Sequence, residues 1–490
     1  MSSIKQQTLK SAKWNFIERI ATQGIQFFLG IVMARLLLPS DYGAIGMLAI
    51  FFAVSQTFID SGFSSALIRK KNPTEDDFST VFYFNFAISI VVYVILFLIA
   101  PWVADFFSLE ILCPVLRVQA VSLIINAIMA VQVAMLNIRL DFKSLAKRNI
   151  TATLISGICG VVLAFLGYGI WALVFQQLIA AIVNLVFISA VCKWYPHTKF
   201  NIDSFKELGV FGSRLLASGL LHTLYTNMTT FAIGKFYSPK DLGFYTRGAQ
   251  FAQVPNNVTN GVLSTVTYPI LAKIQDDETR LIYVYRKYIR LTSLCIFVFS
   301  CLLCALAKPI VLFCLTDKWS EAIIFLQIFA LTFMFDHLST INLNLLKVKG
   351  RSDLFLRLEV IKKFIAVAIL LSVIPLGVLA ICLSKFLNNQ IAFFINTYYT
   401  GKLFHLGYLQ QMKDISPFLG RCIVACLPAY ALTFLELPHI VTIIVGAIVS
   451  LFLYWLMLRK NPDMMELMEL VREKISKKNE TTKAVQENCQ

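Results

Sequence analysis

Arg35-Leu36-Leu37-Leu38-Pro39-Ser40-Asp41-Tyr42-Gly43 returns further on as Lys235-Phe236-Tyr237-Ser238-Pro239-Lys240-Asp241-Leu242-Gly243. In both stretches a basic residue and three others precede Pro-x-Asp-x-Gly. The copies lie about 200 residues apart with no gap, the signature of a duplication. A looser echo sets Asp60-Ser61-Gly62 against Asn260-Gly261. Each copy joins the first and second helix of a six-helix block. Proline cannot continue a helix's hydrogen-bond ladder, and glycine tolerates a tight reversal. An even number of helices per repeat leaves both copies in the same orientation across a membrane. The halves are then related by an axis along the membrane normal, with a substrate cavity expected between them.

The helices themselves are read from hydropathy. Of 490 residues, 58% are apolar and 15% charged, where a soluble domain carries about 25% charged residues. A soluble chain cannot hide so much apolar surface. A spanning helix needs roughly 20 apolar residues. Apolar runs and turn punctuation place spans near 14–37, 42–63, 78–104, 111–137, 144–166, 170–192, 206–236, 241–271, 281–307, 320–345, 353–375, 377–399, 418–436 and 439–457. The runs are continuous and not alternating, which excludes a transmembrane barrel. The expectation is an all-α, polytopic membrane protein of about fourteen transmembrane helices. An N-lobe covers 1–200 and a C-lobe 201–400, each of six helices. An extra helix pair covers 401–460, and a cytoplasmic tail 461–490. Met464, Met465, Leu467 and Met468 among charged residues give that tail an amphipathic start, and its polar end reads as disordered. No room is left for a large soluble catalytic domain.

The net charge of +16 comes from 44 Lys and Arg against 28 Asp and Glu. On a soluble domain it would suggest nucleic acid, but in a polytopic chain it follows from positive-inside loops. Lys5, Lys10, Lys13, Arg69, Lys70, Lys71, Arg139, Lys143, Lys147, Arg148, Lys347, Lys349 and Arg351 fall on one side, with the basic tail. On the other side lie Lys235, Lys240, Lys308 and Lys318. Both termini are therefore expected in the cytoplasm. The basic start runs straight into the first helix with no cleavage pattern, so it reads as uncleaved. The 11 cysteines give no disulfide framework, and Cys301-x-x-Cys304 lies inside an apolar run, where cysteine is packing material. The chain carries no Walker loop, HExxH or zinc spacing, so neither cofactor nor metal is expected. The longest outward loop, about 308–319, is too short for the catalytic loop of a membrane glycosyltransferase or polymerase. The protein is expected not to be an enzyme.

A charge at the centre of a span costs at least ~2.5–3.5 kcal/mol, so each one marks a functional candidate. The cations are Arg19, Arg117, Arg214, Arg247 and Lys385, with Lys362 and Lys363 beside Glu359. Asn388 and Asn389 follow Lys385 at helical spacing and extend a polar stripe. Arginine suits a bidentate grip on phosphate oxygens. Snorkelling to an interface is the alternative for each cation. Arg19, Arg214, Arg247 and Lys385 are expected to line one cavity. Glu18, Asp60, Asp336 and His337 are candidate coupling groups. Asp336-His337 is the more proton-like pair, because histidine titrates near neutrality.

The opening residues carry a family resemblance. Ala12-Lys13-Trp14-Asn15-Phe16-Ile17-Glu18-Arg19 begins the first helix and the Pro39-x-Asp41-x-Gly43 corner closes it. Asp60-Ser61-Gly62-Phe63-Ser64-Ser65-Ala66-Leu67-Ile68 ends the second helix, and Asp77-Phe78-Ser79-Thr80-Val81-Phe82 starts the third. Together they resemble the bacterial Wzx-type polysaccharide flippases, in the branch of colanic-acid and lipopolysaccharide biosynthesis. That family belongs to the multidrug/oligosaccharidyl-lipid/polysaccharide exporter superfamily. The resemblance implies transport of undecaprenyl-diphosphate-linked oligosaccharide from the inner to the outer leaflet of the bacterial inner membrane by alternating access. It implies the lipid bilayer as solvent, H+ or Na+ as candidate coupling ions, and polysaccharide polymerase machinery as a candidate partner. Nucleic acid is not among the partners. One rival is a cation-coupled drug or metabolite antiporter of the same fold, which would favour buried acids over Arg and Lys. A membrane-embedded glycan polymerase lacks its outer loop here, and no sequence feature speaks for a structural scaffold.

Overall fold

The computed structural model describes residues 2–60 and 62–469, with side chains at all of these except 2–13, 15, 16, 257–266, 268, 269 and 352. Among the described residues the chain is helical, with no strand. It divides into two compact units, Met1–Thr246 and Arg247–Gln490. The first holds α1 (Ser2–Leu36), α2 (Pro39–Asp60), α3 (Phe63–Arg69), α4 (Glu75–Phe107), α5 (Leu112–Gln119), α6 (Val121–Ile138), α7 (Phe142–Phe165), α8 (Ile170–Cys192), α9 (Ile202–Phe236) and the start of α10 (Pro239–Lys273). The second holds the rest of α10, then α11 (Glu278–Ala305), α12 (Ala307–Leu315), α13 (Ala322–Phe333), α14 (Asp336–Val348), α15 (Ser352–Val373), α16 (Val378–Phe404), α17 (Tyr408–Leu432) and α18 (His439–Leu458).

The protein is an all-α, multi-pass membrane protein. Among the described residues, 10 helices are long and apolar enough to cross a bilayer, counting α2 with α3, α5 with α6 and α13 with α14 as single rods. The other rods expected to span are α1, α9 and α10, of 35 residues each, and α15, of 22. They are long enough but more polar, and they hold Glu18, Arg19, Arg214, Arg247, Lys362 and Lys363.

The repeated corners fold alike. Pro39 and Pro239 open α2 and α10, at the helix-start position that has no use for an N–H. One turn in, the Asp41 carboxylate accepts from Leu38 N–H at 2.9 Å, and the Asp241 carboxylate accepts from Ser238 N–H at 3.2 Å. Each helix therefore starts with a side chain capping an orphan donor. The two corners also pack on each other. A Cβ on Gly43 would overlap the Pro239 carbonyl oxygen, and one on Gly243 would overlap the Pro39 carbonyl oxygen. The contact between the two corners is reciprocal.

By the repeat, α9 opens the second six-helix block, yet it packs inside the first unit along α2. The Thr57 and Thr223 hydroxyls meet at 3.0 Å. Gly62, at φ 70, breaks α2 from α3 and lies against Gly212. Further along, Phe63 stacks on Phe205 with centroids 5.5 Å apart. Lys70 Nζ donates to Glu207 at 2.9 Å and to Asp77 at 3.0 Å. Glu207 first, then Asp77, hold that ammonium above its usual range.

The second unit is built round α11, whose Tyr285, Ile289 and Phe297 are fully buried with Leu338, Phe393 and Phe418. A buried polar knot crosses this core. Asn342 Oδ1 accepts from Tyr285 OH at 2.8 Å, from Thr400 Oγ1 at 3.0 Å and from Gln411 Nε2 at 3.0 Å. Asn342→Leu would leave the buried Tyr285 hydroxyl without its acceptor and the Gln411 oxygen without its donor, at about 1–3 kcal/mol each, while Thr400 and Gln411 still donate to the Thr397 and Leu406 carbonyls. We expect a loss of about 3 kcal/mol, seen as a lower unfolding temperature in detergent. An unchanged transition would show that the knot does not hold α11, α14, α16 and α17 together.

One segment differs from the sequence reading. The outward loop expected at about 308–319 is the helix α12 followed by a 3-10 turn at Asp317–Trp319, with Trp319 fully buried. Its apolar residues continue the run of α11, and Pro309 is tolerated because it falls in a new first turn. The tail begins with a helix at 462–469. Arg290 holds Asp463 at 3.1 Å, and Lys287 pairs with Glu466. The tail helix is thus tied to α11 by ion pairs. Residues from 470 onward, including the expected disordered end, lie outside the described residues.

Candidate substrate and coupling sites

In the first unit, α2, α3, α6 and α7 enclose a cleft of about 300 Å³. Two hydrogen-bond chains end in it. Along one, Asn126 Nδ2 donates to Gln56 Oε1 at 3.2 Å, and Gln56 Nε2 donates to Asp60 Oδ1 at 3.0 Å. The other runs from the Arg148 guanidinium, whose Nη2 donates to Asn149 Oδ1 at 2.7 Å. Asn149 Nδ2 in turn donates to Glu18 Oε1 at 2.8 Å. Arg148 thus meets its carboxylate only through an amide. Its Nη1 is buried and meets no acceptor among the described residues, and the same holds for Ser64 Oγ. Both residues line the cleft. Sequence reading found Asp60 and Glu18 but counted Arg148 as a loop charge, because α7 begins at Phe142 with polar residues typical of a cytoplasmic end. It did not single out Gln56, Asn126 or Asn149. An amide inside an apolar run was the available signal.

The second unit has its own polar centre. The rod expected at 320–345 breaks between Phe333 and Asp336, so that Asp336 begins α14. Its carboxylate accepts from Asn256 Nδ2 of α10 at 2.8 Å and from Asn389 Nδ2 of α16 at 2.8 Å. Asn389 also donates to the Thr332 carbonyl that the break leaves over. A discontinuous helix with an acid at the break is a recurring transporter device for ion or substrate binding. Lys385 lies one helical turn before Asn389, half-buried, and makes no hydrogen bond or ion pair among the described residues. Asn388 is half-buried on the adjoining side. His337 parts company with Asp336. It is fully buried on the other side of α14, where Nε2 meets Ser293 Oγ at 2.8 Å and the ring meets Phe297 edge-on. Neighbours on a helix do not face each other, so the two do not form a proton-sharing pair.

Each of the remaining candidates has its own local surroundings within its unit. Arg117 sits with its guanidinium 4.2 Å from the Phe97 ring and donates to the Phe97 carbonyl at 3.2 Å, a local contact. Arg247 is 6% exposed and donates to Gln250 at 2.5 Å. Arg19 and Arg214 are exposed on α1 and α9. Lys362 pairs with Glu359 at 2.5 Å.

A family model described as polysaccharide biosynthesis protein matches residues 32–324. The chain belongs to this polysaccharide biosynthesis family. Among curated members it is similar to the lipopolysaccharide biosynthesis protein WzxC of Escherichia coli K12, at 22% identity over 80% of this chain and 81% of that one. It is also similar to the teichuronic acid biosynthesis protein TuaB of Bacillus subtilis, at 25% identity over 72% and 74%. Among solved structures, the lipid II flippase MurJ in an inward closed conformation superposes with a TM-score of 0.73 at 15% identity, covering 92% of this chain and 99% of that one. An inward-facing multidrug MATE transporter gives 0.59 at 15% identity. At these identities the structural likeness is one of fold.

Proposed function

We propose that the protein is a flippase that carries an undecaprenyl-diphosphate-linked oligosaccharide from the inner to the outer leaflet of the bacterial inner membrane, by alternating access, for surface polysaccharide export. Membership of the polysaccharide biosynthesis family carries this reading, and the fold shared with a lipid-flipping protein supports it. The chemistry agrees. A saccharide head group needs polar walls inside the spans, and each unit supplies one, at Asp60–Arg148 and at Asp336–Asn389. The diphosphate needs cations. Lys385 suits that role best, since an ammonium inside a span without a carboxylate is tolerated mainly where an anion or water meets it. Arg247, Arg19 and Arg214 are the further cations to test. Asp336 is the coupling acid for H+ or Na+. The reading assigns no bond-making step to the protein and places both termini in the cytoplasm.

Lys385→Ala should weaken head-group binding by about 1–3 kcal/mol, the scale of a charged hydrogen bond, and so slow flipping while protein level stays normal. Arg214→Lys should keep part of the activity, because the charge stays and the fork is lost. Transport unchanged in both variants, and in alanine variants at 19 and 247, would remove the cationic set from the account. Topology has its own check. Single cysteines at Lys71 and Lys402 should react with an impermeant thiol reagent only from the cytoplasmic side, and cysteines at Asp105 and Lys318 only from outside. Reaction of both sets from one side would overturn the orientation.

A further inference from the structure

We propose that the cleft between α2, α3, α6 and α7 is a binding site for one uncharged sugar ring. The inference rests on the flippase reading and gives it a specific saccharide contact. Its lining polar groups are Gln56, Asp60, Ser64, Asn126, Asn137 and Arg148. Five of the six side chains end in planar amide, carboxylate or guanidinium groups, which can engage two neighbouring hydroxyls at once. Their hydrogen-bonding capacity is only partly used. Asn137 Nδ2 donates to its own helix at Val133, which leaves its oxygen. Asp60 Oδ1 takes Gln56, which leaves Oδ2. The buried Arg148 Nη1 and Ser64 Oγ are unmet among the described residues. The cleft thus offers donors and acceptors together, as a ring of hydroxyls demands.

Charge separates a sugar from the diphosphate. Asp60 and Arg148 line the same cleft without an ion pair, and their opposite charges leave the lining neutral. Glu18 stands behind Arg148 through Asn149. A phosphate or diphosphate would bring net negative charge against Asp60, whereas a neutral polyol satisfies both groups. A volume of about 300 Å³ lies at the small end of ligand pockets, enough for one ring and too small for an oligosaccharide. Among the described residues the lining has no aromatic side chain, so recognition here depends on hydrogen bonds.

The experiment uses the full chain in lipid nanodiscs and ligand-observed saturation-transfer NMR. The probes are the methyl glycosides of glucose, galactose, mannose and N-acetylglucosamine, with methyl phosphate as the anion. At least one glycoside should receive saturation that falls at least about five-fold in Asp60→Leu and in Asn126→Leu, while methyl phosphate shows none that depends on these residues. Thermal unfolding checks that each variant is folded. Asn126→Leu keeps side-chain volume and provides the test if Asp60→Leu fails to fold. Saturation of methyl phosphate alone, or glycoside signals unchanged in both variants, or no glycoside signal, would overturn the proposal. Flipping of the native lipid-linked substrate is measured in parallel. Flipping without glycoside binding removes the sugar site and leaves the flippase reading. Glycoside binding without flipping does the reverse.

Discussion

Gly43→Ala should abolish accumulation of folded protein, and Gly243→Ala should do the same. At each position the new methyl would overlap a backbone carbonyl, that of Pro239 in one case and of Pro39 in the other. A backbone atom cannot swing aside as a flexible side chain can, so the corners must separate. Overpacking usually costs about 1–3 kcal/mol, and a clash with backbone belongs at or above the top of that range. Gly420 of α17 is the control, because nothing lies within 4 Å of a Cβ built there. Gly420→Ala should be neutral, or stabilising by up to about 1 kcal/mol from helix propensity. Membrane protein level and monodispersity in detergent check all three. Normal behaviour of both corner variants would mean that the reciprocal contact is not part of the folded state.

Asp336→Leu should reduce flipping at least ten-fold, the largest effect expected within the second unit. The substitution removes the acceptor of two carboxamides, Asn256 and Asn389, which tie α10 and α16 to the break before α14. Each amide loses a hydrogen bond to a charged group, worth about 1.5–3 kcal/mol, so the local arrangement is lost with the charge. Asp336→Asn separates the two effects. It keeps the shape and one accepting oxygen for Asn389, and its NH2 can be met if the Asn256 amide turns its oxygen inward, but it has no titrating or cation-binding carboxylate. We expect Asp336→Asn to fold normally and to lose the response of flipping rate to an imposed proton or sodium gradient. Gradient-dependent flipping at the wild-type rate in Asp336→Asn would dismiss the carboxylate as the coupling group.

Much of this architecture was open to reading because its signals are local. Apolar run length located the rods, since a bilayer fixes the length of a helix. Pro39, Asp41 and Gly43 with Pro239, Asp241 and Gly243 announced the corners, because each does a job at a helix start that few other residues do. Other features depend on long-range partners and left no local trace. The break before Asp336 falls in Phe333-Met334-Phe335, with no proline or glycine to mark it, and it is stabilised from another helix by Asn389. Composition hid α12, because a short apolar run can serve as an outer connection or as a helix packed on its neighbours. The candidate sites were half legible. Asp60, Asp336, Lys385 and Asn389 stood out as polar residues in apolar runs. Their grouping could not be read, since hydrogen bonds join positions as far apart as Glu18 and Asn149. Arg148 escaped because a cation near a span's cytoplasmic end normally serves topology.

The most direct test of the account is a leaflet-accessibility assay. Purified protein is reconstituted into liposomes with its native undecaprenyl-diphosphate-linked oligosaccharide, labelled on the saccharide, in both leaflets. An external glycosidase, or an impermeant reductant that destroys the label, then reads the fraction of label that reaches the outside. This fraction should rise from about half toward completion in liposomes holding the wild-type protein, and stay near half with Asp336→Leu. Label in wild-type proteoliposomes no more accessible than in protein-free liposomes would contradict it.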